Sequence, residues 1–168
     1  MPRTFSFIDG ITVADLLRFG FGHLSSAEFL LNGPDPNHFD SAGYLAHLGF
    51  EHLLKAWHLQ VFNKVPGIHN LDKLWNTLLE GSHARHLSLG DSKTLKLLDE
   101  YAELRYPNIN NPVEIGGDDS RRIGKLLKSL LKRMPGTLHK VMEELHWSTK
   151  GGRVLMERPI SKRRRVTR

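Results

Sequence analysis

The sequence of 168 residues contains no cysteine. This absence excludes disulfide bonds, thiolate catalysis and cysteine-based zinc sites, and it fits a reducing compartment. The chain also lacks a run of about 18 apolar residues, which a membrane-spanning helix needs. Its first ten residues lack the basic and then apolar pattern of a signal peptide. We therefore expect a cytoplasmic protein that does not insert into a membrane.

Motifs of several common enzyme classes are absent as well. The chain has no Walker phosphate-binding loop, no glycine motif for dinucleotides, no zinc-protease motif and no nucleophile elbow. We therefore expect no cofactor, and the sequence leaves open whether the protein is an enzyme.

Positive charge is concentrated at the C-terminal end of the chain. Residues 148–168 contain eight lysines or arginines and one glutamate, whereas residues 1–147 contain sixteen basic and seventeen acidic residues. We predict one helical domain over residues 1–147 and a flexible basic tail over residues 148–168. Flexible cations bind polyanions because they displace counterions from phosphates, so the tail is a candidate for binding a polyanion. The alternative is that the tail only improves solubility. The tail candidates for phosphate binding are Lys162, Arg163, Arg164 and Arg165.

Apolar residues recur at helical spacing through most of the predicted domain. Thr12 fits the N-cap of a first helix over Val13–Leu31, and a second helix that opens at Ser41 is apolar around most of its circumference, which predicts a central position. No region shows a clear alternation of period two, so we predict no strands. We predict further helices near residues 71–79, 91–105, 121–134 and 137–147, with Asp119 or Ser120 as the cap of the third of these and a loop over 106–118. The predicted fold is therefore an all-α bundle.

Three segments resemble the HEPN family in their order and approximate spacing. They are AGYLAHLGFEHLLKAW at 42–57, IHNLDKLWNTL at 68–78 and YAELRYPN at 101–108. The resemblance implies an up-and-down arrangement for the five to six predicted helices. It also implies a homodimer, with a groove formed by the face that carries Glu51 and Lys55. Family members include metal-independent ribonucleases, nucleotide-binding modules and modules that dock on a nucleotidyltransferase partner, so membership alone leaves the activity open.

The resemblance identifies one candidate catalytic pair. Ribonucleases of the family use an Arg-x4-6-His motif, and Arg133 and His139 in RMPGTLH have this spacing. In such a site the histidine removes the proton of the 2′-hydroxyl group, and the arginine stabilises charge on the phosphoryl group. The sequence departs from the pattern, because Met134 replaces a polar residue and Pro135 interrupts the helix. Two solvated residues without a catalytic role are the alternative.

A line of basic residues is predicted along the fifth helix. Spacings of four, three and four residues place them on one side, opposite an apolar side that should face the core. Asp119 is the sole acidic residue between positions 119 and 142. Such a line attracts phosphates, although many comparable lines are only solvated. The candidates on this line are Arg121, Lys125, Lys128 and Lys132. Arg105 is a further phosphate-binding candidate, because the resemblance associates it with members of the family that have a nucleotidyltransferase partner. The alternative is that Arg105 only caps its own helix.

Four polar residues of the second helix are predicted to share one face. Offsets of four, eight and eleven residues bring them to nearly the same azimuth, and they are His47, Glu51, Lys55 and His58. Histidine and carboxylate ligands could bind a metal ion, but the lysine among them would repel a cation. We therefore predict no metal site there.

Together these patterns favour a module that binds RNA or nucleotide phosphates without catalysis. The alternatives are a metal-independent endoribonuclease of toxin or defence type, and a module that binds only other proteins.

Overall fold

The computed structural model describes residues 10–82, 84–101, 117–145, 147–150 and 153–156. A 3-10 turn at Pro36–His38 precedes the second helix, and an antiparallel hairpin follows the last one. The predicted all-α bundle is confirmed. In chain order, the elements within these ranges are α1 (Val13–Leu31), α2 (Phe39–Phe62), α3 (Leu71–Gly81), α4 (Leu89–Tyr101), α5 (Gly117–Leu131), α6 (Gly136–Glu144), β1 (Trp147–Lys150) and β2 (Arg153–Met156).

Local hydrogen bonds define the ends of the first two helices. The hydroxyl of Thr12 accepts a hydrogen bond from the backbone N–H of Asp15 at 3.1 Å, and the Asp15 carboxylate accepts one from the backbone N–H of Thr12 at 3.3 Å. This reciprocal capping box starts α1 at the predicted residue. Asn63 ends α2 in a left-handed conformation, with φ of 54°.

Helix α2 is the centre of the bundle, as its apolar circumference predicts. It packs against α1, α3, α4 and α5. At the crossing with α1, a Cβ atom on Gly49 would lie 2.6 Å from Cγ of Leu24 and 3.0 Å from the carbonyl oxygen of Gly20. The missing side chains of Gly20 and Gly49 therefore allow the backbones of α1 and α2 to approach each other closely.

Helix α5 lies beside α4 and buries its apolar side in the core. The buried residues of that side are the predicted ones, namely Ile123, Leu126, Leu127, Leu130 and Leu131. Helix α6 and strand β2 both contact α1. None of the helices in the described ranges combines the length and hydrophobicity that a bilayer span requires.

The structure corrects three predicted features. Helix α5 already begins at Gly117, so Asp119 lies inside the helix and does not cap it. Helix α6 ends at Glu144, before Trp147, which starts β1. The prediction of no strands is wrong for residues 147–150 and 153–156. The sequence between the strands is Gly-Gly, which is typical of a hairpin, but four residues in each strand are too few for alternation to be evident.

Several predicted features fall outside the described residues. They are Arg105, most of the loop predicted over 106–118, and the tail residues Lys162, Arg163, Arg164 and Arg165. The hairpin occupies the first part of the region predicted as a tail, and the division of the chain at residue 147 stays a prediction.

Candidate nucleic-acid interface

Four basic side chains form a line on the outer side of α5. All four are exposed, and within the described part of the chain none of them forms an ion pair. A helix rises 1.5 Å per residue, so the line extends over roughly 16 Å. We call it the basic stripe; it consists of Arg121, Lys125, Lys128 and Lys132.

A groove of about 750 Å³ lies between α4 and α5. Lys93 and Lys96 line it on the α4 side, and Arg122 and Lys125 line it on the α5 side. Of these cations, Arg122 is ion-paired, with Nη1 3.1 Å from Oδ1 of Asp119. Lys125 belongs to the basic stripe as well. This cationic groove therefore joins the basic stripe at one residue.

Two carboxylates also line the cationic groove, those of Asp91 and Glu100. Oδ2 of Asp91 accepts hydrogen bonds from the hydroxyl groups of Ser88 at 2.8 Å and Ser129 at 2.7 Å. These bonds link the first turn of α4 to α5 and hold the Asp91 carboxylate against the protein. The groove has four cationic side chains and two anionic ones.

Arg133, which follows α5, is bound to backbone and hydroxyl oxygens. Its Nε donates to the carbonyl of Arg85 at 3.2 Å, and Nη2 donates to the carbonyl of His86 at 3.1 Å. Its Nη1 donates to the carbonyl oxygen of Ser129 at 2.7 Å and to the Ser129 hydroxyl at 2.6 Å. The guanidinium group thus ties the segment between α3 and α4 to the end of α5.

His139 lies on a different element from the end of α5. It is in α6, which begins only after the break at Pro135. Within the described ranges, its side chain makes no hydrogen bond or ion pair. The catalytic roles of Arg133 and His139 stay predictions.

We expect Arg133→Gln to lower the free energy of unfolding by about 1 to 2 kcal/mol, because several hydrogen bonds from a charged donor are lost. His139→Ala should change it by less than about 0.5 kcal/mol, since the side chain is partly exposed and has no described partner. Urea unfolding of both variants provides the measurement. Equal stability of the Arg133 variant and the native chain would contradict the structural role of this arginine.

A polar network lies inside the bundle along α2. The ring of His47 is 2% exposed; its Nδ1 lies 3.0 Å from the carbonyl oxygen of Leu98, and its Nε2 lies 3.5 Å from Oε2 of Glu51. Oε1 of Glu51 accepts a hydrogen bond from Nζ of Lys55 at 2.7 Å and lies 3.0 Å from Nδ1 of His69. The network reaches the surface at His69, whose side chain is exposed.

The network determines the charge state of Glu51. Burial raises the pKa of this carboxyl group, but hydrogen bonds from His47 and Lys55 and the charges of Lys55 and His69 outweigh that effect and lower the pKa to about 2. Glu51 is therefore ionised at neutral pH, and it is the counterion of the buried Lys55.

Asp99 joins the network to the start of α3. Its carboxylate accepts hydrogen bonds from the backbone N–H groups of Leu71 at 2.6 Å and Asp72 at 3.0 Å. Oδ1 also lies 3.8 Å from Nδ1 of His47. Burial raises the pKa of Asp99, although the two backbone bonds oppose this shift. Asp99 thus accepts N–H groups at the start of α3 in addition to the N-cap residue Asn70, whose Oδ1 accepts a hydrogen bond from the backbone N–H of Lys73.

The family resemblance implies a dimer or groove surface at Glu51 and Lys55. In the single chain they are 5% and 8% exposed and are bound to intrachain partners. Their role at a dimer interface stays a prediction. His58, on the same face of α2, lies with Nε2 2.9 Å from the carbonyl oxygen of Leu74. In the part of the chain that the structure describes, no three His, Cys, Asp or Glu side chains are grouped to hold a metal ion.

Sequence reasoning missed Lys93, Lys96 and Arg122 as groove residues, and Asp99 and His69 as members of the polar network. The spacing of Lys93 and Lys96 by three residues was a usable signal, because it places both on one face of a helix. That this face borders α5 depends on tertiary packing, which the spacing does not encode.

These features define a helical-bundle protein with a cationic face between its fourth and fifth helices. The family model of the HEPN domain matches residues 13–136, which is more than half of the chain. The chain belongs to the HEPN family, and the resemblance inferred from three short segments is confirmed. No curated protein and no solved structure gives a significant match to the chain.

Proposed function

We propose that this protein binds RNA or nucleotide phosphates through the basic stripe and does not catalyse a reaction on them. The observation that carries the proposal is the line of four exposed cations without ion pairs in the described residues. Exposed lysines and arginines in a row bind phosphates because they release condensed counterions. Membership in the HEPN family is compatible with an RNA-related function.

The position of the basic stripe is rigid, which favours a defined binding surface. The opposite side of α5 is buried against the core, with Leu126 and Leu130 fully buried. The helix therefore cannot rotate without exposing apolar surface, which costs about 25 cal/mol per Å². The backbone positions that carry the cations therefore keep a constant spacing along the surface.

The hydrogen bonds of Arg133 support binding without catalysis. A guanidinium group has five N–H donors, and four hydrogen bonds from this one go to protein oxygens. A catalytic arginine has to direct its donors to the phosphoryl group in the transition state. The alternative function, a metal-independent endoribonuclease that uses Arg133 and His139, would require this arginine to exchange its partners.

Three further elements of the proposal are supported by sequence alone. Arg105 and the tail residues Lys162, Arg163, Arg164 and Arg165 are proposed as additional phosphate contacts because of their charge. A homodimer and a nucleotidyltransferase partner are proposed from the family resemblance. A module that binds only proteins is the remaining alternative, and the absence of any RNA affinity would favour it.

The double variant Lys128→Gln/Lys132→Gln is expected to bind single-stranded RNA more weakly and with a smaller salt dependence. Each phosphate contact contributes about 0.7 to the slope of log K against log salt for a single strand, so the slope should decrease by about 1.4. Fluorescence anisotropy with labelled RNA over a salt series measures both quantities. Lys64→Gln/Lys73→Gln, which removes two exposed charges outside the basic stripe, is the matched control.

Equal losses of RNA affinity in the two double variants would contradict a localised site and indicate only the effect of net charge.

The same RNA, incubated with native protein in EDTA, should remain intact. Cleavage to 2′,3′-cyclic phosphate ends that disappears in His139→Ala would instead establish the endoribonuclease and reject the noncatalytic function.

A further inference from the structure

Two histidine rings lie side by side where α1 and α2 meet. The ring centroids of His23 in α1 and His52 in α2 are 5.5 Å apart, and the ring planes are inclined by 41°. Gly20 and Gly49, each three residues before one of these histidines, allow the two backbones to approach closely. Both histidines are partly exposed, so dissolved ions can reach them. We call His23 and His52 the histidine pair.

The spacing of the two rings suits joint coordination of one metal ion. A zinc ion lies about 2.0 to 2.1 Å from each imidazole nitrogen that binds it, with nearly tetrahedral angles between the bonds. Each ring centroid lies about 1 Å beyond its nitrogen, so two rings on one ion have centroids roughly 5 Å apart. The 5.5 Å between the centroids of the histidine pair is close to this value. A small rotation of the side chains would therefore complete the geometry.

A backbone carbonyl group determines which nitrogen of His52 is available. Nδ1 of His52 lies 2.7 Å from the carbonyl oxygen of Leu48. A carbonyl oxygen only accepts hydrogen bonds, so Nδ1 carries the proton and Nε2 of the neutral ring keeps a lone pair. Metal-binding histidines usually donate their second N–H group to a carbonyl or carboxylate oxygen in this way, which fixes the ring. His52 therefore already has the supporting contact of a metal ligand.

His23 is available as the second ligand. Within the ranges that the structure describes, its side chain forms no hydrogen bond or ion pair. Burial and the neighbouring His52 lower the pKa of His23, so its ring is neutral at physiological pH. A neutral ring is needed for coordination, because a protonated imidazole has no free lone pair.

The neighbours of the histidine pair leave room for a cation. Lys55, one turn after His52, donates to Oε1 of Glu51 at 2.7 Å, so its charge is neutralised within the polar network. No third His, Cys, Asp or Glu side chain joins the pair in the described part of the chain. A bound ion would therefore complete its coordination with water and would remain exchangeable.

We propose that His23 and His52 form a binding site for one divalent transition-metal ion that joins α1 to α2. Imidazole nitrogens suit Zn²⁺, Ni²⁺ and Cu²⁺, and Cu²⁺ generally binds such ligands most tightly of the three. The site lies apart from the basic stripe on α5, and the proposal does not depend on RNA binding there.

The tag-free native chain should bind one equivalent of Zn²⁺ in calorimetric titration. Loss of even an outer-shell partner weakens metal affinity by about 10- to 100-fold. His23→Gln and His52→Gln each remove a direct ligand, so each should weaken Zn²⁺ binding by at least about tenfold. Because the chain has ten histidines, the matched control is His38→Gln/His86→Gln, which removes two exposed rings outside the pair and should leave the affinity unchanged. Circular dichroism verifies that each variant is folded.

His23→Cys separates the role of a ligand from a role in packing. A thiolate also binds zinc, so this variant should retain Zn²⁺ binding although the imidazole ring is lost. Zn²⁺ should raise the midpoint of thermal unfolding of the native chain and of His23→Cys but not of His23→Gln, because the ion that joins the two helices binds only the folded chain.

Electron paramagnetic resonance with one equivalent of Cu²⁺ identifies the ligands. The native chain should show splitting from two imidazole nitrogens, and either glutamine variant should show splitting from fewer. Equal Zn²⁺ affinity in the native chain and the glutamine variants would overturn the proposal, as would an equal loss in His38→Gln/His86→Gln. Absence of binding at about 1 mM Zn²⁺ would overturn it as well. The affinity for RNA is measured separately, so failure of the proposed function is distinguishable from failure of the metal site.

Discussion

Glu51→Gln is expected to lower the free energy of unfolding at pH 7 by about 3 kcal/mol. The substitution preserves the shape of the side chain but removes the negative charge that neutralises Lys55, which is 8% exposed. Breaking a buried ion pair by removal of one partner typically costs about 3 to 5 kcal/mol, because the remaining charge is left uncompensated. The shift of the Glu51 pKa from 4.5 to about 2 corresponds to a stabilising free energy of similar size.

The stability difference between the native chain and Glu51→Gln should depend on pH. The pKa of Glu51 is lower in the folded protein than its usual value, so its stabilising contribution is complete above about pH 4.5. It is lost as the pH falls through about 2, because protonation removes the charge that the network binds. Urea unfolding at several pH values should therefore show a difference that narrows on acidification. Burial raises the pKa of Asp99, so the contribution of this group to the free energy of unfolding decreases as the pH rises. This contribution is present in both proteins, so it largely cancels in the difference between them.

Two further variants separate the ion pair from other effects at this position. Glu51→Gln/Lys55→Met removes the uncompensated charge. Its loss of unfolding free energy should therefore be smaller than the sum of the losses in Glu51→Gln and in Lys55→Met. Glu80→Gln, at an exposed position of α3, should change stability by less than about 0.5 kcal/mol. Strict additivity at positions 51 and 55 would show that the pair is not coupled.

Gly49→Ala is expected to lower the free energy of unfolding by about 1 to 3 kcal/mol. Alanine is a better helix former than glycine by about 1 kcal/mol, so propensity alone predicts the opposite sign. The added Cβ atom would, however, lie 2.6 Å from Cγ of Leu24 and 3.0 Å from the carbonyl oxygen of Gly20. Because a backbone oxygen is one of these neighbours, α1 and α2 would have to separate.

Gly22→Ala is the matched control for this prediction. Gly22 is also in a helix, but a Cβ atom there would have no neighbour within 4 Å. The control should therefore raise the free energy of unfolding by up to about 1 kcal/mol, as helix propensity predicts. Thermal or urea unfolding of the two variants should give shifts of opposite sign. Stabilisation by both substitutions would contradict the close contact of α1 and α2.

Much of the helical framework could be predicted because its signals are local. The capping box at Thr12 and Asp15 involves residues three apart, and the apolar side of α5 repeats with the period of a helix. The basic stripe follows from the same period, since its members lie on the side of the helix opposite to Leu126 and Leu130. The hairpin after α6 escaped prediction because its strands are too short to show alternation against a basic, polar background.

The sequence by itself determined the helical class, the bounds of α1, the central position of α2 and the exposed basic side of α5, since these depend on neighbours within one or two turns. Only the tertiary structure decided the rest. Arg133 reaches the carbonyl of Arg85 across 48 residues, and Asp99 accepts the backbone N–H of Leu71 across 28. The cationic groove exists because α4 and α5 pack side by side. Such contacts depend on how helices dock, which is set by the summed burial of many side chains rather than by any local pattern.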